Sequence, residues 1–206
     1  MTDLDSPVEL SAATNSALVR EALEVARSAH AGQVRNGSGG MPYIDHPLTV
    51  AVMLEQHGYA EEVLAAALLH DVVEDSEATL DELRARFGDA ISGMVGVLSD
   101  DESIDPYRER KAEHRERVAA AGEDALAIYA ADKLTNIRTL SRAYAEQGDA
   151  VADEFKVPLE LKLEVWEADL ALLREKAPDL PFLDPLEAEL SAFRARLEAR
   201  APRPSV

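Results

Sequence analysis

No cysteine occurs in the chain, which excludes disulfides and thiolate metal sites and leaves any metal to histidine and carboxylate ligands. No stretch approaches the roughly 18 consecutive apolar residues of a membrane-spanning helix, and the longest apolar run covers only 63–69. The opening six residues are acidic rather than basic and then apolar, so no secretory signal is expected and the chain reads as cytoplasmic. Basic residues are scarce, 21 against 40 acidic, for a formal net charge of −19. A field of that sign repels nucleic acid and anionic membranes, which argues against both as partners. A small anionic substrate is still compatible, provided its site supplies local positive charge. Period-two alternation, internal repeats and low-complexity linkers are missing as well, so strands are not expected.

Helical spacing is present nearly throughout, and a hydrophobic fraction of 47% is ample for a core. The pattern predicts a helix over about 14–30, then a loop, "GQVRNGSGGMPY", with four glycines in 32–40 followed by Pro42. Pro47 suits the first turn of the next helix, with Asp45 or His46 as its cap and Gly58 near its end. The segment 63–75 reads as one further helix. Thr79 and Glu82 form a capping-box pattern, with Gly88 as a stop and a second helix over 89–99. Helices follow near 107–121, 124–140, 158–177 and 185–200. The expected architecture is one all-α domain over 14–180, preceded by a tail at 1–13 and followed by a C-terminal helix and polar tail at 181–206.

The chemistry concentrates in "LLHDVVED", where His70, Asp71, Glu74 and Asp75 follow directly on an apolar run. On a helix, His70 and Glu74 share one face, as do Asp71 and Asp75. At the carboxyl end of a helix such carboxylates oppose the macrodipole and call for a cation. Asp132 lies in the apolar helix "ALAIYAADKLTNIRTL", where a carboxylate is costly unless paired or metal-bound. Asn136 is one turn on from it. With His46, the set His46, His70, Asp71 and Asp132 would make a mixed nitrogen and oxygen site for a divalent ion.

The segments "AHAGQVRNGSGGMPYIDHP", "AALLHDVVEDSEATLDELRARFG" and "AADKLTNIRTL" resemble the three signature blocks of the RelA/SpoT hydrolase domain, within the HD phosphohydrolase superfamily. The resemblance covers roughly 20–140 in matching order and spacing. It implies an all-helical fold, one Mn²⁺, and removal of the 3′-pyrophosphate of ppGpp and pppGpp to give GDP or GTP and pyrophosphate. By the same resemblance His46, His70, Asp71 and Asp132 are the metal ligands, and Glu74 and Asp75 the catalytic acids. Arg35 corresponds to an arginine that packs on the nucleotide base, and Asn136 to a nucleotide contact. Asn36 follows Arg35 where many members carry lysine, and Lys133 is the usual basic residue after the metal aspartate. Tyr43 is open between packing and function, His30 reads as structural, and His57 and His114 default to the surface.

The charged segment "YRERKAEHRER" places Arg108, Lys111 and Arg115 on one helical stripe, with Arg110, His114 and Arg117 beyond it. It is either a salt-bridged solvent helix or a phosphate-binding patch, for which Lys111 and Arg115 are the candidates. The length suggests a stand-alone small alarmone hydrolase. The rival readings are an HD phosphohydrolase acting on another phosphorylated nucleotide, such as an adenosine alarmone or the 2′-phosphate of NADPH, and a nucleotide-binding module without turnover.

Overall fold

The computed structural model describes residues 10–200 except Glu102, without the side chains of Ala13 and Thr14; most of the expected N-terminal tail and the polar tail at 201–206 lie outside the described residues. The helices run α1 (Ala12–Asn15), α2 (Ala17–Ala29), α3 (Asp45–Gln56), α4 (Glu61–Leu69), α5 (Val72–Asp75), α6 (Leu80–Leu98), α7 (Tyr107–Ala119), α8 (Glu123–Gln147), α9 (Leu159–Lys176) and α10 (Leu183–Ala199), with a 3₁₀ turn at Gly148–Glu154 between α8 and α9. Among the described residues the only β pairing is an isolated bridge of Val34 with Pro42. The fold is all-α.

The helix α4 is the hub. Alanine and leucine are strong helix formers, and Glu61 and Glu62 complement the dipole at its first turn. Residues 63–69 are buried without exception, the signature of a helix surrounded on all sides. It packs on α2, α3, α6 and α8. The Thr79 capping box forms as expected, the Thr79 hydroxyl accepting from the Glu82 N–H while the Glu82 carboxylate accepts from the Thr79 N–H. Gly88, at φ +81°, kinks α6 where a stop was expected, because a left-handed residue interrupts the helical path.

A further expectation changes. The helix over 63–75 breaks after Leu69: His70 caps α4, and Asp71, at φ −95° and ψ −6°, leads into the short α5. The His70 ring Nδ1 lies 2.7 Å from the Ala67 carbonyl, the acceptor an uninterrupted helix would assign to the Asp71 N–H. The C-terminal helix packs into the main core. In α10, Leu183, Leu186, Leu190 and Phe193 are buried against α8 and α9.

Candidate metal centre and its cavity

The break between α4 and α5 aims His70 and Asp71 at the helices α3 and α8. His46, in the first turn of α3, and Asp132, mid-way along α8, meet them there, and His46, His70 and Asp132 form a buried group of potential metal ligands. The His46 Nε2 lies 3.1 Å from Asp132 Oδ1 and 3.5 Å from Asp71 Oδ2. The His70 Nε2 lies 3.2 Å from Asp71 Oδ1 and 3.8 Å from Asp132 Oδ1.

These residues fit a divalent metal on their own chemistry. With its Nδ1–H held by Ala67, His70 presents the Nε2 lone pair to carboxylate oxygens, which are acceptors too. That nitrogen is buried and has no hydrogen-bond partner. Acceptors face one another across the gap, an arrangement that demands a cation. In the metal-free ring a proton meets the demand: burial alone would lower the His70 pKa, but Asp71 and Asp132 overcome it and raise it to about 9. His46 goes the other way, lowered to about 4 by burial and by the Arg35 charge.

The carboxylates are held from behind. Tyr43 donates its hydroxyl to Asp71 Oδ2 at 2.9 Å. Asn136 donates to Asp132 Oδ1 at 2.6 Å, and Lys133 donates to Asp132 Oδ2 at 2.7 Å while its ammonium sits 4.3 Å from the centroid of the Tyr129 ring. Burial opposes the Lys133 charge, yet Asp132 holds it firmly protonated. Arg35 donates to the Asn136 carbonyl and lies over the Tyr43 ring. His30 is structural: it is buried, stacked on Tyr43, and its Nδ1 is 2.8 Å from Gln33 Oε1.

A cavity of about 830 Å³ opens from this centre. Glu74 and Asp75 line it together with the metal-type residues, Arg35, Asn36, Lys111, Lys133 and Asn136. Burial, with the Asp71 charge added, pushes the Glu74 carboxyl up to about 7 despite a hydrogen bond from the Asp100 N–H at 3.0 Å. Burial raises Asp75 as well.

The α7 segment divides between the two readings of its sequence. Arg110, Lys111 and His114 line the cavity, whereas Arg108 pairs with Glu164 at the surface. Arg115 does not line the cavity; its guanidinium pairs at 3.1 Å with the fully buried Asp169 on α9, so burial of that carboxylate claims its charge. His114 is buried rather than superficial, and burial lowers it to about 3. His57 is exposed, as expected. Sequence reasoning missed Asp100, which sits in an acidic loop but is buried and paired with Arg110 and Lys111. It also missed Lys162, which lines the cavity beside Trp166. The signal for Asp100 was its place just before a basic helix; none marked Lys162.

Comparison with known proteins agrees with this geometry. The model of the HD domain family matches residues 22–157, about two thirds of the chain. The chain belongs to the HD domain family. A zebrafish (Danio rerio) relative, guanosine-3′,5′-bis(diphosphate) 3′-pyrophosphohydrolase MESH1, is 36% identical over 135 residues, covering 65% of this chain and 74% of the relative. The bifunctional (p)ppGpp synthase/hydrolase SpoT of Escherichia coli is 38% identical over 141 residues, 66% of this chain but 20% of SpoT. Among solved structures, one described as a metazoan ortholog of SpoT that hydrolyzes ppGpp superimposes with a TM-score of 0.71 at 29% identity, covering 88% of this HD-domain chain and 96% of that structure.

Proposed function

We propose that the protein is a metal-dependent guanosine-3′,5′-bis(diphosphate) 3′-pyrophosphohydrolase, which converts ppGpp and pppGpp to GDP and GTP with release of pyrophosphate and so lowers alarmone levels. The observation that carries the reading is a buried group of two histidines and a carboxylate at the floor of a cavity that also holds two raised acids and several cations. A bound divalent ion, manganese by the family resemblance, would be held by His46, His70, Asp71 and Asp132, and would polarise a phosphoryl oxygen and acidify a water molecule.

In hydrolysis the water oxygen bonds to the inner phosphorus, the bond from that phosphorus to the ribose 3′ oxygen breaks, and a proton ends on the sugar oxygen. Glu74, poised near neutrality with one oxygen already held by the Asp100 N–H, takes the proton from the water. Asp75 is the second acid at hand to deliver a proton to the departing sugar oxygen. Tyr43 and Asn136 keep Asp71 and Asp132 in place, so the ligand oxygens do not reorganise on binding. Arg35, whose planar guanidinium lies over the Tyr43 ring, would cover the base, with Asn36 beside it.

The test is turnover of ppGpp by purified protein with manganese, with the products resolved by anion exchange. GDP and pyrophosphate, abolished by chelation, are expected. Inertness toward ppGpp combined with dephosphorylation of NADPH or an adenosine alarmone would replace this reading with a different HD phosphohydrolase.

A further inference from the structure

The mechanism above leaves unused a group of cations on the cavity wall formed by α7 and α9. Arg110, Lys111 and Lys162 converge on one ring, Tyr107, their charged atoms lying 5.5, 5.7 and 5.8 Å from its centroid. Arg110 and Lys111 share one carboxylate oxygen, Asp100 Oδ2, at 3.2 and 2.5 Å. Lys162 has no carboxylate partner among the described residues. It is held instead by aromatic faces, 4.5 Å from the centroid of Phe155 and 5.5 Å from that of Trp166. Three cations therefore gather around one ring on the cavity wall with a single carboxylate, Asp100, paired among them, inside a protein whose net charge is −19.

Like charges gathered in a half-buried place repel one another, and the arrangement persists at a cost that a bound polyanion would relieve. Consistent with this, burial and the charges of Lys111 and Lys133 lower Lys162 to about 8. The position of the group says which part of an anion it meets. The Asp100 that ties Lys111 and Arg110 also donates its N–H to Glu74, so the basic wall adjoins the acid assigned above to the attacking water.

We propose that Lys162, with Arg110 and Lys111 around Tyr107, binds the outer phosphate of a 3′-diphosphate and thereby selects release of pyrophosphate over release of phosphate. The inference rests on the hydrolase reading for its substrate, while the subsite itself can be probed without turnover. The ammonium of Lys162, seated on rings and unpaired, is free to pair with the outer phosphate. Arg110 and Lys111 share the Tyr107 ring with it while Asp100 fixes their heads.

The experiment compares wild type with Lys162→Met, which keeps the apolar stem against Phe155 and Trp166, and Lys162→Arg, which keeps the charge. Inorganic pyrophosphate and inorganic phosphate are titrated against the manganese-loaded protein by calorimetry, and turnover of ppGpp is measured beside a guanosine nucleotide bearing a 3′-monophosphate. In Lys162→Met, pyrophosphate binding should weaken about tenfold with little change for phosphate, KM for ppGpp should rise by a similar factor, and preference for the 3′-diphosphate should shrink. Lys162→Arg should recover most of the loss. Equal pyrophosphate affinity in wild type and Lys162→Met would overturn the subsite, as would a fall in kcat with KM and pyrophosphate binding unchanged. Lys162-dependent pyrophosphate binding in a protein that leaves ppGpp intact would uphold the subsite and overturn the hydrolase reading, so the two failures are distinguishable.

Discussion

Asp71 and Glu74 are three residues apart but face different tasks. Asp71 lies within 3.5 Å of both histidine nitrogens, whereas Glu74 accepts a backbone hydrogen bond and lines the cavity. Asp71→Asn should lose bound metal together with activity. Glu74→Gln should keep the metal, read by elemental analysis, while the rate falls by about 10²–10⁴; loss of metal from both variants would merge the two roles. The raised Glu74 carboxyl also sets a pH dependence. As a base it must be ionised, so kcat/KM should fall as pH drops through the Glu74 titration, which burial raises above the ordinary carboxyl range. For stability the sign reverses. The fold favours the protonated form, so wild type loses stability as pH climbs from the unfolded-state value of a carboxyl through about 7. In chelated protein Glu74→Gln should therefore melt above wild type at pH 8, and lose that advantage at pH 4.5.

At the scale of elements, the glycine-rich loop and the segment after α8 act as one wall. Gly37 takes φ +69°, donates its N–H to Glu154 at 2.6 Å, and leaves no room for a Cβ against the Phe155 ring. Phe155 in turn supports Lys162. Gly37→Ala combines backbone strain with a clash, and should displace the loop that carries Arg35 and Asn36. The expected outcome is a rise of severalfold or more in KM for ppGpp with metal content unchanged; steady-state kinetics and elemental analysis on one preparation check both. An unaltered KM would detach the loop from substrate binding.

Across the whole molecule, stability and chemistry are separated in space. No residue of α10 lines the cavity, yet Phe193 is fully buried and meets Tyr144 of α8 edge to face at 5.4 Å between centroids. Phe193→Ala should cost about 3–5 kcal/mol, from lost burial and the void left behind. Denaturant melts should show that loss, while specific activity at a temperature where the variant stays folded remains close to wild type. A matching loss of activity in the folded variant would show that α10 positions the α8 residues Asp132 and Asn136.

Local rules made much of this protein legible before its structure. Helices follow from apolar spacing, the Thr79 capping box and an interruption at Gly88 from residue type, and the all-α class from the lack of alternation; these depend on neighbours in sequence, whereas the break of the 63–75 helix after Leu69 does not. The blocks around His46, the His70 and Asp71 pair, and Asp132 marked a metal-type group, because a charged residue in an apolar helix needs a partner wherever it lies. What the tertiary structure alone decided is which way each charge of a charged helix is turned. Around α7 the sequence offers several helical stripes, and only the packing of α9 turns Arg110, Lys111 and His114 into the cavity while Asp169 takes Arg115. Pairing with α7 encloses the Asp100 side chain, and the packing of α9 seats Lys162 on rings drawn from α7, α9 and the segment before α9. The contacts of Arg115 with Asp169 and of Lys162 with Tyr107 join residues more than 50 positions apart, and helical periodicity, which repeats every 3.6 residues, carries no information at that distance.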